Sequence, residues 1–307
     1  SFDDVDLFPE DGLHKVGEKI SRPGDVVFTS KGTVGRFALV RDDTPRFVYS
    51  PQLSYWRSLD FELIEPRYLF YWIQGQEFWE QTAGVKSQTD MADYVSLSDQ
   101  RMMKITLPPL PEQRTIARIL GALDDKIELN RRMNRTLEAM AQAIFKSWFV
   151  DFDPVAAKAE GRQPYGMNAE TAALFPAEFV DSELGAIPKG WNVGTVGNEF
   201  DLTMGQSPPG ETYNEVGDGI AFYQGRTDFG FRYPTPRIFC TAPTRYANPG
   251  DTLVSVRAPV GDINMGLERC SIGRGLASIR HKGGSPSYTY YSMHFLREDF
   301  DVFEGEG

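Results

Sequence analysis

One 14-residue pattern occurs twice in this chain, and that repetition constrains the architecture more than any single element does. "RPGDVVFTSKGTVG" (Arg22–Gly35) aligns without a gap to "NPGDTLVSVRAPVG" (Asn248–Gly261). Each has Pro-Gly-Asp, a strand-type run, a basic residue (Lys31 or Arg257) and Val-Gly, with Pro23 and Pro249 standing 226 positions apart. Further on, "EPRYLFYWIQGQEFW" from Glu65 resembles "SPSYTYYSMHFLREDF" from Ser285, with Tyr68 and Tyr288 220 positions apart. Two ordered matches at nearly one spacing mark an internal repeat. The Pro-Gly-Asp makes a tight turn that launches "VVFTS" or "TLVSV", strands by their β-branched content. Each copy should therefore be a strand-rich body ending in a short helix. The first copy starts close to its turn, while the second has a long lead-in from Leu184 and stops at Gly307. The chain is expected to be cut at both ends relative to a full two-copy protein.

Between the copies lies "LPPLPEQRTIARIL" (Leu107–Leu120). Pro108 and Pro109 cannot be helix interior, but Pro111 fits a first turn, where a missing N–H costs nothing. From Glu112 to about Val150 there is no proline and a single glycine, Gly121, which should cost about 1 kcal/mol against alanine. Ile116, Leu120, Leu123, Ile127, Asn130, Asn134, Leu137, Ala141, Ile144 and Trp148 follow a 4,3,4,3 spacing. That is a coiled-coil seam on a helix roughly 55 Å long. Asn130 and Asn134 either fix register and partner or roll to the solvated edge. After Asp153-Pro154 comes an acidic, alanine-rich connector, and "SELGAIPKGW" opens the second copy. The expected divisions are 1–106, 107–155, 156–183 and 184–307.

Composition narrows the chemistry. With 41% hydrophobic residues in 307, two ordinary domains can build cores. Cys240, Cys270, His14, His281 and His294 have no metal-ligand spacing. No apolar run approaches a membrane span of ~20 residues, so a cytoplasmic protein without disulfides or membrane contact is expected. The net charge of −11 argues at first against nucleic acid. It is regional, however: 151–218 carries twelve acids against Lys158, Arg162 and Lys189, whereas 220–282 carries nine basic residues against Asp228, Asp251, Asp262 and Glu268.

Catalytic constellations are present only as fragments. "SPPG" (Ser207–Gly210) is close to the base-holding loop of amino-methyltransferases, but Gly210 stands where an aromatic belongs. No glycine-rich cofactor loop, phosphate-binding loop or metalloprotease helix motif occurs, and Asp42-Asp43 and Asp124-Asp125 are sequence neighbours that cannot converge. Recognition chemistry remains. "MGQSPPGETYN" and "FYQGRTDFGFRYPTPR" place Gln206, Ser207, Gln224, Arg226, Thr227 and Asp228 on turn-rich loops, where such side chains can read base edges. In the first copy Lys31, Thr33, Arg36, Gln52, Ser54, Tyr55 and Arg57 flank the equivalent strand. Lys31, Arg36, Arg57 and Arg257 suit phosphate contact better than base contact. A surface or structural role remains the alternative for each.

"LPPLPEQRTIARILGALDDKIELNRRMNRTLEAMAQAIFKSWFVDFDPV" (Leu107–Val155) resembles the central region of the DNA-specificity subunit of type I restriction-modification systems. "GAIPKGW", "GQSPPGETYN" and "PGDTLVSVRAPVG" look like parts of that family's target-recognition domains. The resemblance implies an α+β chain with two β-rich target-recognition domains in pseudo-repeat, separated by a long coiled-coil-type helix. It implies that each domain reads half of a bipartite site in double-stranded DNA while the helix acts as a ruler. Methyltransferase subunits bringing S-adenosylmethionine, and restriction subunits using ATP, would be partners. The chain itself would be a non-catalytic subunit with no cofactor. In the family a second helix pairs antiparallel with the central one, and here the sequence stops before it, so self-association or partner docking through the seam is expected. The alternative is a coiled-coil scaffold with β-rich protein-binding domains and no DNA contact.

Overall fold

The computed structural model describes residues 6–31, 34–85, 87–89, 92–257 and 259–297. They divide into two compact units, Ser1–Arg135 and Thr136–Gly307.

In the first unit, strands β1 (Val26–Thr29), β2 (Phe37–Leu39) and β3 (Leu53–Trp56) form an antiparallel sheet in the order β2-β1-β3. Alternate side chains of β1 serve opposite faces. Val26 and Phe28 join Tyr68, Leu69, Trp72, Ile73 and Phe78 in one core, and Val27 joins Val40 and Tyr49 in another. The first core is rich in aromatic edge contacts, Phe28 and Phe78 meeting at 5.8 Å and 81°. It is roofed by α1 (Pro66–Trp72) and α2 (Gln76–Val85). The turn before β1 needs its glycine: Gly24 has φ +88°, a conformation that L side chains rarely adopt, and it packs on Pro66, which opens α1.

Helix α3 runs Leu110–Phe149, with Pro111 in its first turn, close to the span expected from proline placement. Its buried residues are Gln113, Ala117 and Gly121. Gln113 secures the entrance: its amide donates to the Leu63 and Pro108 carbonyls and its Oε1 accepts from the Glu65 N–H. Gly121 has a reason that composition does not reveal. A Cβ there would lie 2.5 Å from Arg67 Nη1, and that guanidinium reaches Asp125 at 3.0 Å. The seam stands uncovered among the described residues: Leu120, Leu123, Ile127, Leu137 and Ile144 are exposed, as are Asn130 and Asn134, while Ile116 and Trp148 are half-buried. Ile119, Met133 and Met140 widen the apolar stripe.

In the second unit the connector folds into a small module. Helices α4 (Asp153–Ala159) and α5 (Ala169–Ala173) bury Val155, Met167, Ala172 and Phe175 beside Trp148, Phe152 and Trp191. Lys158 ties them by donating to the Ala172 and Phe175 carbonyls. Beyond it, β4 (Phe200–Met204), β6 (Thr252–Val256), β7 (Val260–Met265) and β9 (Leu276–His281) make an antiparallel sheet in the order β7-β6-β9-β4. A second sheet pairs β5 (Ile220–Tyr223) in parallel with β8 (Cys270–Ile272), flanked by Tyr246–Ala247, Phe239–Cys240 and Tyr213–Asn214. Leu253 of β6 faces the core with Tyr223, Ile272 and Leu276, and Val254 faces α6 (Pro286–Phe295) through Met293.

The sequence repeat holds in three dimensions within each unit. Gly250, φ +82°, packs on Pro286 as Gly24 packs on Pro66. Asp251 accepts from the Asn248 N–H and Arg280 Nε, as Asp25 accepts from the Arg22 N–H and Arg57 Nε. The registers Val26↔Trp56 and Thr252↔Ile279 set these pairs side by side.

Candidate nucleic-acid interface

In the second unit, strand register gathers the predicted residues. Ser255 pairs with Leu276 and Ala277 with Met204. The end of β6 (then Arg257), the start of β9 (preceded by Gly273-Arg274-Gly275) and the end of β4 (then Gly205-Gln206-Ser207) therefore share one edge of the sheet. Gln224 follows β5 and joins them, because Gly273 N–H donates to the Tyr223 carbonyl at 2.9 Å and Gly275 N–H to the Gln224 carbonyl at 3.1 Å. The crossing demands glycine: a Cβ on Gly205 would lie 2.1 Å from the Gly273 carbonyl oxygen.

The result is a cleft of about 450 Å³ lined by Gln224, Gly225, Arg226, Thr227, Arg257, Arg274 and Gly275. Ser207 Oγ donates to Gln224 Oε1 at 3.0 Å and accepts from the Arg274 N–H at 3.4 Å, so Ser207 orders the rim. Arg257 and Arg274 are exposed and form no ion pair among the described residues. Arg226 pairs with Asp262 at 2.6 Å, and Arg297 reaches the same carboxylate at 3.0 Å. A neighbouring concavity of about 520 Å³ shares Arg226 and Thr227 and is lined also by Asp262, His294 and Arg297. Burial holds the His294 imidazole below its ordinary value, which favours the neutral form there. Gln206 is exposed, and its carbonyl accepts from Thr244 Oγ1. Such an edge offers unneutralised guanidinium groups and an oriented amide to a polyanion.

In the first unit the predicted residues separate. Lys31, Arg36 and Gln52 are exposed at one edge of the sheet, since Thr29 pairs with Leu53 and Arg36 precedes β2. Thr33 lies outside the described residues. Ser54 is buried, bonded to Ser30 and Gln100. Tyr55 and Arg57 are at the opposite edge. The Tyr55 hydroxyl donates to the Glu18 carbonyl at 2.7 Å and its ring stacks on Tyr49 at 4.3 Å. Arg57 spends all three guanidinium nitrogens internally, on Asp25, Glu18 and the Ile20 carbonyl. Its guanidinium belongs to the scaffold, so the outward-facing cations of this group are Lys31 and Arg36.

Sequence reasoning missed two arginines. Arg274 was bracketed by glycines just before a strand-type run, which is the available signal. Arg232 had no local signal, because its partner, Glu138, is 94 residues away. Among the described residues no helix is long and apolar enough to cross a membrane.

A family model described as the type I restriction modification DNA specificity domain matches residues 8–139. A chain named as the type I restriction enzyme MjaX specificity subunit of Methanocaldococcus jannaschii is 29% identical over 290 residues, covering 92% of this chain and 63% of its own length. The type I restriction enzyme HindI specificity subunit of Haemophilus influenzae is 28% identical over 67% of this chain and 53% of its own. The crystal structure of the HsdS subunit from Thermoanaerobacter tengcongensis is similar at 32% identity and a TM-score of 0.39, over 92% of this chain and 66% of that one. The chain spans 53% to 66% of the length of these three proteins. Residues 8–139 thus match the type I restriction modification DNA specificity domain, and the chain is similar along nearly all its length to a type I restriction enzyme specificity subunit.

Proposed function

We propose that the chain is a sequence-recognition subunit: it reads a bipartite site in double-stranded DNA and seats adenine methyltransferase subunits, with restriction subunits joining the assembly. The observation that carries the reading is the cleft at the β6, β9 and β4 edge, where Arg226, Arg257 and Arg274 converge on Gln224 and Ser207. Arg257 and Arg274 contact phosphate, and Arg226 with Gln224 and Thr227 selects bases, guanine being the natural partner of arginine and adenine of glutamine. Gln206 extends the rim. In the first body Lys31 and Arg36 contact phosphate, while Gln52 faces the half-site. Tyr55 and Arg57 support them from the opposite edge. The helix seam docks the partner subunits or a second apolar helix. Cofactor chemistry belongs to those partners, S-adenosylmethionine for methyl transfer and ATP for restriction, and this chain contributes no catalytic group.

The test is selection from randomised duplex DNA by the chain together with its methyltransferase partner, followed by sequencing of the retained pool. Enrichment of two half-motifs with a fixed gap is expected. No enrichment despite a bound methyltransferase would sink the reading.

A further inference from the structure

Glu138 sits on α3 with its side chain only 16% exposed, and it faces the second strand-rich body. It receives a hydrogen bond from the Arg232 guanidinium, and the Tyr291 hydroxyl stands 3.4 Å away. Arg232 also donates to the Tyr291 hydroxyl at 2.6 Å, and its guanidinium lies over the Tyr290 ring at 4.6 Å. A planar guanidinium held by a carboxylate, a hydroxyl and an aromatic face has one geometry available to it. Helix, loop and α6 are therefore joined at one point.

Arg232 is not on a remote loop. It lies six residues after Arg226, on the segment that lines the cleft. That segment is folded on itself: Phe229 N–H donates to the Arg226 carbonyl, Gly230 N–H to Tyr233 and Thr235 N–H to Asp228. It is also pinned to β7 by Met265 N–H on the Arg232 carbonyl and by the Asn264 amide on Gly230. In the first unit a related clamp joins Arg67 to Asp125 and Tyr71 to Asp124, Tyr71 being the repeat counterpart of Tyr291. There the arginine comes from α1, not from a cleft-lining loop. Only the second clamp ties the reading loop itself to the helix.

We infer that Glu138 is a positioning residue for bipartite recognition: through Arg232 it locks the reading loop of the second body onto α3 and so holds the gap between half-sites to one length. This rests on the DNA-reading proposal above. A one-base-pair change in the gap is about 3.4 Å along the duplex, so rejecting a neighbouring gap requires the body to be held more tightly than that. Apolar contact between α6 and α3, through Tyr288 and Phe145, is non-directional and tolerates sliding. The Glu138 clamp is directional. Half-site choice is set at the head of the same segment, by Gln224, Arg226 and Thr227. Their local fold is held by the Phe229, Gly230 and Thr235 backbone hydrogen bonds and by the Asn264 and Met265 bonds, none of which runs through the clamp.

The experiment is the same DNA selection, run on the full chain with its methyltransferase partner, unaltered and as Glu138→Gln and Arg232→Met. Both variants are expected to recover both half-motifs unchanged, with gap lengths spread onto neighbouring values and preference for the parent gap reduced roughly ten-fold. A single unchanged gap in both variants overturns the inference. Loss of the second half-motif in both overturns it as well, since the clamp would then serve the fold of the body and not its placement. If the unaltered protein recovers no split motif, the DNA-reading proposal fails and takes this inference with it.

Discussion

Arg57 grips Asp25 through two parallel hydrogen bonds, Nε to Oδ1 at 2.6 Å and Nη2 to Oδ2 at 2.7 Å, with the Asp25 side chain fully buried. Tyr49 donates a third bond at 2.7 Å. Asp25→Ala leaves the Arg57 cation and the Tyr49 hydroxyl without their partner, and an expected loss of about 3–5 kcal/mol follows. Urea unfolding of the two proteins measures it, and a loss under 1 kcal/mol would show the pair to be replaceable.

The same pair sets a pH dependence. Burial alone would raise the Asp25 carboxyl, but hydrogen bonds from Arg57, Tyr49 and the Arg22 N–H outweigh it and hold the carboxyl below its ordinary 3.8. A depressed folded value means stability that is present above the unfolded value and lost as pH falls through the folded one. Comparing thermal melting between pH 6 and pH 2.5, the parent should lose stability more steeply than Asp25→Asn, whose residue cannot titrate. Parallel curves would contradict the assignment.

Arg274→Ala and Arg226→Ala should separate affinity from selection. Arg274→Ala is expected to weaken binding to all sequences and to flatten the salt dependence by about one unit of log–log slope. Arg226→Ala is expected to relax base preference in one half-site only, by about 1–3 kcal/mol at the affected position. Competition binding across a salt series checks both. A uniform effect from Arg226→Ala would move it to the phosphate group.

Leu123 and Leu137 are 60% and 55% exposed. Leu123→Glu and Leu137→Glu should therefore change the stability of the chain itself by no more than about 0.5 kcal/mol. Self-association or partner binding, followed by light scattering on a sizing column, should nevertheless fall sharply. Unchanged assembly would mean the stripe is not the docking face.

Gly205→Ala is expected to disrupt the cleft, since its Cβ would lie 2.1 Å from a backbone oxygen that cannot move aside. Overpacking of this kind costs about 1–3 kcal/mol, and reduced DNA affinity should accompany the lower melting temperature. Neither change appearing would mean the strands can part there at little cost.

How much of this was legible depends on how far apart the interacting residues are in sequence. The turn glycines, the prolines opening α1 and α6, and the limits of α3 are local matters, so proline, glycine and heptad spacing predicted them. Gly121 was legible as a tolerated cost but not as a cradle for Arg67, because Arg67 enters from α1, 54 positions earlier. Pro-Gly-Asp announced a turn, yet its aspartate turned out to be the anchor of an ion pair whose partner is fixed by strand register, 32 residues on. Register also explains the candidate site. Gln52 and Arg57 are five residues apart, and at roughly 3.3 Å per strand residue they stand at opposite edges of the sheet. Arg257 and Arg274 are seventeen apart in sequence and share a cleft.

The apolar stripe of α3 has a further consequence for the life of the chain. Ile119, Leu120, Leu123, Ile127, Leu129, Met133, Leu137, Met140 and Ile144 are each between 37% and 60% exposed. A surface of that kind is what holdase chaperones and quality-control proteases grip, and it favours aggregation when nothing covers it. If the stripe is the docking face proposed above, a copy made in excess of its partner is marked for removal by the same side chains that favour assembly. The helix would then act as its own stoichiometry gauge.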